Sequence, residues 1–365
     1  MLPWAPPPSQ ACVSLARCGR RRDLQAVTDE TELDEALSRP TAADAAAMAQ
    51  LPPGDLLVLG ASGKMGPSLA RLAVRASART GTKRRVLAVA RFSAPGVRKA
   101  LEQSGVETIA ADLLDPAAVS GLPDCAHVVF MVGQKFGTAA DQPLTWATNV
   151  LATALAAERF ARSRIAVFST GNVYPLTAVT GPGPHERDPV APVGEYAQSA
   201  LARERVLEYF SRLHATPMAI LRLNYAVEPR YGVLRDVADR VWRGEAVDLS
   251  MGHVNVIWQR DACSVALRAL GHCASPPFVL NLTGSDTVSV RRLAERFGDL
   301  FGRKVRFTGV EGDTALLSNA TLCRQMFGPP EASLDQMIAM VADWVRRGGR
   351  SLGRPTHFEE REGRF

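Results

Sequence analysis

The stretch that decides the fold is DLLVLGASGKMGPSLARLAVRASAR, residues 55–79. It joins a short apolar run to a helical pattern through a turn that contains Gly60, Gly63 and Gly66. Glycines with this spacing let the turn tighten, and they let backbone N–H groups approach an anion at the start of the helix. Pro67 falls in the first helical turn, where its missing N–H costs little. The stretch therefore predicts a buried strand, a glycine turn and a helix.

The same alternation continues after this unit. RRVLAVAR, ETIAAD, AHVVFMV and RIAVFST are predicted strands, separated by helical patterns that include 95–104 and 143–162. Nearly continuous apolar strands are typical of a parallel sheet with helices on both faces. After MAILRLN (218–224) the elements become shorter and mixed. We expect an α/β fold, a Rossmann-type doubly wound parallel sheet with a smaller mixed α/β C-terminal lobe.

These patterns divide the chain into five predicted parts. They are a disordered leader (1–27), a short helical extension (28–53), the Rossmann domain (54–223), the smaller lobe (224–345, with 254–272 returning to the Rossmann domain) and a C-terminal tail (346–365). The extension is predicted from acids that alternate with Leu, Ala and Met, and Thr41 is a candidate N-cap within it.

Composition argues against several partners. The chain has 365 residues, 46% of them hydrophobic and 22% charged, as in ordinary globular proteins. Its net charge of +6 does not indicate nucleic-acid binding, because the arginines are scattered among acids rather than clustered. No apolar run reaches the roughly 18–20 residues of a membrane helix, and the first residues lack the apolar core of a secretory signal. We expect neither a nucleic-acid nor a membrane partner.

The six cysteines and six histidines are dispersed along the chain. They form no CxxC pair, no HExxH motif and no group with metal-ligand spacing. We expect reduced thiols in a cytoplasmic protein, and we predict no metal site.

Residues at the ends of the predicted strands indicate a dinucleotide site. The glycine turn contributes Gly60, Ser62, Gly63, Lys64, Met65 and Gly66. Arg91 ends the second strand, where a carboxylate is usual in NAD sites, and its guanidinium suits the 2′-phosphate of NADP. NADP is therefore preferred over NAD, the alternative being that Arg91 is a surface residue. Asp112 and Leu113 follow the third strand, where the carboxylate either accepts the adenine amino group or forms a plain turn.

Several motifs between about residues 55 and 345 resemble the extended short-chain dehydrogenase/reductase family, the NAD(P)-dependent epimerase/dehydratases. They are GASGKMG, ADLLD, TNVLATALAAE, FSTGNVYP, EYAQSALARE, AILRLNY and NLTGSDTVSVRRLAERFGDLFG. The resemblance implies a Rossmann domain that binds NAD or NADP. It also implies that the smaller lobe binds a small sugar-like substrate, such as a nucleotide sugar.

The resemblance assigns catalytic roles to three residues. Tyr196 matches the family's general acid/base, and Thr170 matches the hydroxyl that hydrogen-bonds the reacting carbonyl or alcohol. Asn149 matches a helix asparagine that holds a water or a backbone group near the site. Together they imply proton transfer to and from a substrate oxygen.

The resemblance also assigns binding roles. The loop after the fourth strand contributes Val132, Gly133 and Lys135 to the cofactor site. Lys135 resembles a lysine that lies close to the cofactor in sugar-nucleotide epimerases, although an exposed loop lysine is an equal alternative. Substrate contacts are expected from Asn172 and Asn224.

The chain departs from the family's pattern at two places. Sugar 4,6-dehydratases have Thr-Asp-Glu where this chain has Thr170, Gly171 and Asn172, so the two carboxylates that abstract a proton and expel water are absent. Dehydration is therefore disfavoured. Ala200 stands where the family has a lysine that lowers the tyrosine pKa. Arg203 shares the helix face of Tyr196 and either supplies a positive field or is exposed to solvent.

Two functions remain open. The first is an NAD(P)-dependent oxidoreductase or epimerase that acts on a hydroxyl or keto carbon of a sugar-like substrate. The second is a dinucleotide-binding sensor or scaffold without turnover, which the missing lysine favours. In either case a homodimer is predicted, because the helices near 143–162 and 194–214 carry apolar residues at helical spacing where family members pair. These residues are Leu151, Leu155, Leu201 and Val206.

Overall fold

The computed structural model describes residues 27–138 and 140–364. The helices are α1 (Glu30–Leu37), α2 (Ala42–Gln50), α3 (Gly66–Arg79), α4 (Val97–Glu102), α5 (Pro116–Ser120), α6 (Gln142–Trp146), α7 (Ala152–Arg159), α8 (Gly194–His214), α9 (Val233–Arg243), α10 (Gln259–Ala269), α11 (Val290–Phe301), α12 (Thr321–Phe327) and α13 (Leu334–Arg346). A π-helical turn, Ala147–Leu151, joins α6 to α7, and 3₁₀ turns cover Gly171–Val173 and Leu270–His272.

Seven strands form one parallel sheet in the order β12-β7-β5-β4-β1-β2-β3. They are β1 (Leu56–Leu59), β2 (Val86–Ala90), β3 (Glu107–Ala110), β4 (His127–Phe130), β5 (Arg164–Thr170), β7 (Met218–Leu223) and β12 (Phe278–Leu282). Short two-stranded pairs use β6 (Thr177–Ala178), β8 (Ala226–Val227), β9 (Ala246–Asp248), β10 (His253–Val254), β11 (Ile257–Trp258), β13 (Val288–Ser289), β14 (Arg306–Thr308) and β15 (Thr314–Ala315).

Helices cover both faces of this sheet, which explains why its inner strands β1 and β2 are apolar throughout. Leu56 and Val58 of β1 point into a core shared with α3 and α10, whereas Leu57 and Leu59 point into a core shared with α7 and α8. Successive side chains along the strand thus pack into two separate cores, one on each face of the sheet. The predicted doubly wound parallel fold is confirmed.

A third core lies in the smaller lobe. Helices α9, α11 and α13 supply most of its buried side chains, including the fully buried Phe297. Gln259–Ala269 packs against the sheet domain. Phe278–Leu282, which the sequence analysis placed in the lobe, also joins that domain and forms an edge strand beside β7. The sequence pattern could not show this, because an edge strand of five residues resembles any short lobe strand.

The N-terminal extension contacts both the core of the lobe and the helices of the sheet domain. Val27, which the sequence assigned to the leader, is buried with Leu33 and Leu37 of α1 in the core of the lobe. Helix α2 instead packs on α3 and α10 of the sheet domain. Thr41 caps α2 in a capping box with Asp44, as its position predicts. The predicted leader, except for Val27, lies outside the described residues.

Asp44 also anchors the extension through a buried ion pair. Its carboxylate lies 2.9 Å from the Arg260 guanidinium, and both side chains are almost fully buried. It accepts a further hydrogen bond from Ser264. We expect Asp44→Ala to lower the free energy of unfolding by about 3 kcal/mol, because it leaves buried donors without their partner. Urea denaturation measures this loss. Asp335→Ala, in the first turn of α13, is the control, and an equal small loss in both variants would contradict the prediction.

Two further observations concern classes of partner. In the part of the chain that the structure describes, no helix is both long and apolar enough to cross a membrane. Among the same residues, no group of three or more His, Cys, Asp or Glu side chains is arranged to hold a metal ion.

Candidate active site

The glycine turn and the loop after β4 meet at the carboxyl edge of the sheet. Gly60 has φ +82°, and a Cβ atom there would lie 2.9 Å from the backbone nitrogen of Val132. The position therefore excludes any side chain both by its backbone conformation and by this contact. In an open parallel sheet, ligands bind at this edge, where neighbouring loops diverge.

The turn leaves hydrogen-bond donors free at the start of α3. Within the described residues, the backbone N–H groups of Ser62, Lys64 and Met65 have no hydrogen-bond acceptor, and no side chain caps the helix. Gly63 is exposed beside them. Free amides at a helix N-terminus bind phosphate groups through hydrogen bonds and the helix dipole. These residues fit the pyrophosphate of a dinucleotide.

Lys64 does not share this exposed position. Its ammonium donates to the Ala226 carbonyl at 2.6 Å and lies 4.3 Å from the centroid of the Tyr231 ring. Burial lowers the pKa of Lys64 to about 8. The side chain therefore ties the glycine turn to the smaller lobe, whereas the backbone N–H of the same residue has no acceptor among the described residues.

The two residues predicted to contact the adenosine half of the dinucleotide lie on the surface. Arg91 directly follows β2, is exposed, and forms no hydrogen bond or ion pair with any described residue. Asp112 is also exposed and accepts a hydrogen bond from the Leu114 N–H at 3.0 Å, which makes it a turn-forming residue. Leu113 is buried in the core below. Arg91 thus keeps its guanidinium available for a phosphate, while one Asp112 oxygen is already used.

Thr170 and Tyr196 come together at the end of β5. Thr170 is the last residue of that strand and Tyr196 lies in the first turn of α8, and their hydroxyl groups form a hydrogen bond. The Thr170 hydroxyl also lies 2.9 Å from the amide oxygen of Asn172. Burial raises the pKa of Tyr196, and the Thr170 hydrogen bond and the Arg203 charge oppose that rise. The structure therefore brings the predicted proton-transfer pair into contact.

Asn149 is fully buried in the π-helical turn and has no capacity left for a substrate. Its amide oxygen accepts from the Gln134 N–H and from Arg203, both at 2.8 Å. Its amide NH₂ donates to the Gln134 carbonyl and to the Ser199 hydroxyl. Asn149 therefore holds the backbone of the loop after β4, beside Gly133, in a fixed position.

Arg203 is buried, not exposed to solvent. Its guanidinium donates to the Asn149 carbonyl at 3.1 Å, to the Asn149 amide oxygen at 2.8 Å and to the Phe168 carbonyl at 2.8 Å. Burial lowers its pKa to about 10, so it stays charged at neutral pH. The adjacent carboxylate, Glu204, is bound by Arg222 and Ser169 instead. A buried cation with neutral hydrogen-bond partners thus lies close enough to Tyr196 to lower its pKa.

Ala200 occupies an apolar position. It is buried with Val173 and Tyr174 and borders Leu201. Lys135 approaches Tyr196 from the loop after β4. The Lys135 ammonium lies 6.0 Å from the Tyr196 ring centroid and 5.6 Å from that of Tyr225, and burial lowers its pKa to about 8. Lys135 is therefore not the exposed loop lysine of the alternative reading.

Asn224 lies deeper than a substrate contact requires. It is almost fully buried, and its amide NH₂ donates weakly to the Leu316 carbonyl and the Ser318 hydroxyl. A Cβ on Gly171 would lie 2.7 Å from its amide oxygen. The geometry favours a role in packing. Asn172, by contrast, is half-buried and lines a small cavity beside Tyr174.

Sequence reasoning missed residues that the lobe and the tail bring to this site. Tyr225, with φ +39°, and Tyr231 both lie near Tyr196, and burial raises the pKa of each. The tail contributes Thr356, whose carbonyl accepts from Lys135 at 3.3 Å. Tyr225 follows Asn224 directly in RLNY, so its position near the site could have been noticed. Nothing in the sequence of the tail indicated that the tail folds back to the site.

Solved structures share this architecture. UDP-glucose 4-epimerase from Thermotoga maritima, bound to UDP-glucose, aligns with TM-score 0.66 and 17% identity over 80% of this chain and 99% of its own. UDP-glucuronic acid 4-epimerase from Bacillus cereus, with UDP-glucuronic acid and NAD, aligns with TM-score 0.68 and 17% identity over 80% and 99%. The dTDP-glucose 4,6-dehydratase from Streptomyces venezuelae, with NAD, gives 0.68 and 18% over 80% and 97%. At these identities the likeness shows the fold.

No curated protein matches the sequence. A family model does match, over residues 56–277, which include the glycine turn, Thr170 and Tyr196. The match covers more than half of the chain and agrees with the resemblance that the motifs carry. The chain belongs to the NAD dependent epimerase/dehydratase family.

Proposed function

We propose that the protein is an NAD(P)-dependent oxidoreductase or epimerase that acts on a hydroxyl or keto carbon of a sugar or nucleotide-sugar-like substrate. The observation that carries this proposal is the contact between Thr170 and Tyr196 above the buried cation Arg203, at the edge where the glycine turn opens. Membership of the family and the sugar nucleotides bound by the similar structures support the substrate class.

Each residue has a separate part in the proposed reaction. Tyr196 transfers the proton to or from the substrate oxygen, and Thr170 orients that oxygen by a hydrogen bond. Arg203 favours the ionised phenol by its charge, and Asn149 fixes the loop after β4. The free amides of the glycine turn and Arg91 would hold the dinucleotide, which supplies hydride transfer when bound.

The geometry supports epimerisation or redox chemistry over dehydration. A carboxylate at position 171 has no room, because a Cβ there would lie 2.7 Å from the Asn224 amide oxygen. Asn172 provides an amide where dehydration needs a second acid or base. An assay with NAD or NADP and with UDP-glucose, UDP-glucuronic acid or dTDP-glucose tests the proposal. Stereochemical inversion or a change in cofactor absorbance supports it, and a 4-keto-6-deoxy product contradicts it.

We propose NADP as the preferred cofactor, because Arg91 is exposed and unpaired among the described residues at the end of β2. Calorimetry should give a lower Kd for NADPH than for NADH. Arg91→Ala should weaken NADPH binding by about tenfold and leave NADH binding unchanged, since a charge-assisted hydrogen bond contributes about 1.5–3 kcal/mol. Arg162→Ala, at the opposite edge of the sheet, is the matched control. Equal affinities of the unmodified protein for both cofactors would refute this preference.

We propose a homodimer that pairs through α7 and α8. Within the described residues, most of the exposed large apolar side chains lie on α8 or on the helical segment that ends in α7: Leu144, Trp146, Leu151, Tyr209 and Leu213. An apolar face of this kind indicates an interface.

Light scattering should give a mass about twice the 39.3 kDa of one chain. Leu151→Glu combined with Leu213→Glu should halve the measured mass, because two charges would be buried without partners. Val310→Glu, at an exposed apolar residue of the lobe, should leave it unchanged. A monomeric mass for the unmodified protein at micromolar concentration would count against the interface.

A further inference from the structure

The chain does not end at the lobe but returns to the candidate active site. We call residues 353–364 the strap. Thr356 donates from its N–H and its hydroxyl to Asp236 at 2.8 and 2.6 Å, and Phe358 is fully buried in the core of the lobe. Farther along, Glu359 forms an ion pair with Arg240 at 2.8 Å. The first half of the strap is thus fixed to α9 and the lobe.

The second half crosses to the other side of the site. Arg361 donates to the Ser250 carbonyl at 2.9 Å and to the Thr314 carbonyl at 2.8 Å. Gly363 reaches the start of α8, where its backbone lies against Val193 and Gly194. Gly194 is two residues before Tyr196 in α8. The strap therefore runs from the lobe to the start of the helix that carries Tyr196.

The space that remains under the strap is small. A cavity of about 30 Å³ is lined on one side by Asn172, Tyr174 and Val193, and on the other by Glu360, Arg361 and Gly363. That volume holds about one water molecule, whereas pockets for small organic ligands measure about 300–1,000 Å³. A sugar-like substrate does not fit between Asn172 and the strap in this conformation.

The two halves of the strap are held by different kinds of contact. Phe358 is its fully buried large apolar side chain, and the residues beyond it are held by polar contacts and by backbone packing. Phe358 thus marks the point where the apolar anchoring of the strap ends. Lids that close on substrates pivot on a few loop residues, so a movement of the polar half would turn at residues 358–359.

We propose that residues 359–364 are a gate on the substrate side of the cleft, which swings away from Asn172 to admit substrate while Phe358 stays anchored. The proposal rests on the proposed function for the identity of the substrate site, but the movement can be measured without turnover. Arg361 is the latch, because its guanidinium joins the strap to two separate segments of the lobe.

Cysteine labelling tests the gate. In a Cys12→Ser, Cys18→Ser background, where the other four cysteines are buried, Asn172→Cys places one thiol under the strap. Its reaction with N-ethylmaleimide should be slow, and adding Arg361→Ala should accelerate it by about tenfold or more, because the closed state loses charge-assisted hydrogen bonds. Arg364→Ala, whose ion pair is with its neighbour Glu362, should change nothing.

A second variant and a second thiol keep the outcome decisive. Deleting 359–365 leaves Phe358 in place and should raise the Asn172→Cys rate toward that of Tyr209→Cys, an exposed site on α8. The Tyr209→Cys rate itself should not change when Arg361 is replaced. Labelling of Asn172→Cys that is already as fast as at Tyr209→Cys, or that neither strap variant accelerates, would overturn the gate. Such a failure would leave the chemistry of Tyr196 untouched, since no turnover enters the measurement.

Discussion

Replacing Tyr196 with phenylalanine is expected to reduce kcat by about 10²–10⁴, the range that a positioned general acid or base contributes. The ring keeps its packing, because only the hydroxyl that contacts Thr170 is removed. The affinity for NAD(P)H should change little, since the amides that we propose hold the pyrophosphate belong to the start of α3 and not to α8. The loss should therefore appear in kcat rather than in cofactor binding.

Stopped-flow cofactor absorbance, or stereochemical analysis of the product, measures this loss for whichever sugar nucleotide the unmodified protein converts. Tyr209→Phe is the matched control, because Tyr209 lies on the same helix and is exposed to solvent. Turnover that survives Tyr196→Phe would remove the proposed mechanism. Cofactor binding without turnover in the unmodified protein would favour the sensor, because its retained tyrosine would then relay no proton.

The sheet and the glycine turn could be predicted because local signals determine them. DLLVLG alternates its side chains between two cores, and Gly60 is required where Val132 approaches its Cα. These two inferences need only the neighbours of a residue along the chain and the direction of the sheet. The pairing of Thr170 with Tyr196 was implied by the family resemblance of FSTGNVYP and EYAQSALARE.

The features that sequence could not supply depend on long-range packing. Phe278–Leu282 joins the sheet through β7, more than fifty residues earlier, and the strap reaches α8 from the far end of the chain. The burial of Arg203 could not be predicted for the same reason. Its helical position placed it on the face of Tyr196, but only the fold shows that the carbonyls of Asn149 and Phe168 draw it into the interior. Burial cannot be read from spacing alone.

We propose that Arg203 supplies the positive charge that Ala200, in place of a lysine, does not. Burying a guanidinium costs free energy that neutral carbonyl partners offset only partly, and no carboxylate among the described residues forms an ion pair with it. Such a cation favours a nearby anion. Tyr196 is the group whose ionisation it promotes, because the Arg203 charge lowers the tyrosine pKa against the effect of burial. Ala200, by contrast, faces Val173 and Tyr174, where an ammonium would be buried among apolar side chains.

We therefore expect Arg203→Met to lower the rate at neutral pH by about tenfold or more, the effect of one pKa unit. Losing the cation raises the pKa of Tyr196, so the limb of the pH–rate profile that requires the ionised phenol should move to higher pH. Arg203→Lys should retain most of the rate, because it keeps the charge. Ultraviolet titration of tyrosinate, corrected with Tyr196→Phe, separates this electrostatic effect from a loss of stability. Ala200→Lys should lower the melting temperature without restoring the rate of Arg203→Met. An unchanged pH profile in Arg203→Met would show that the cation only holds Asn149 and Phe168 in place.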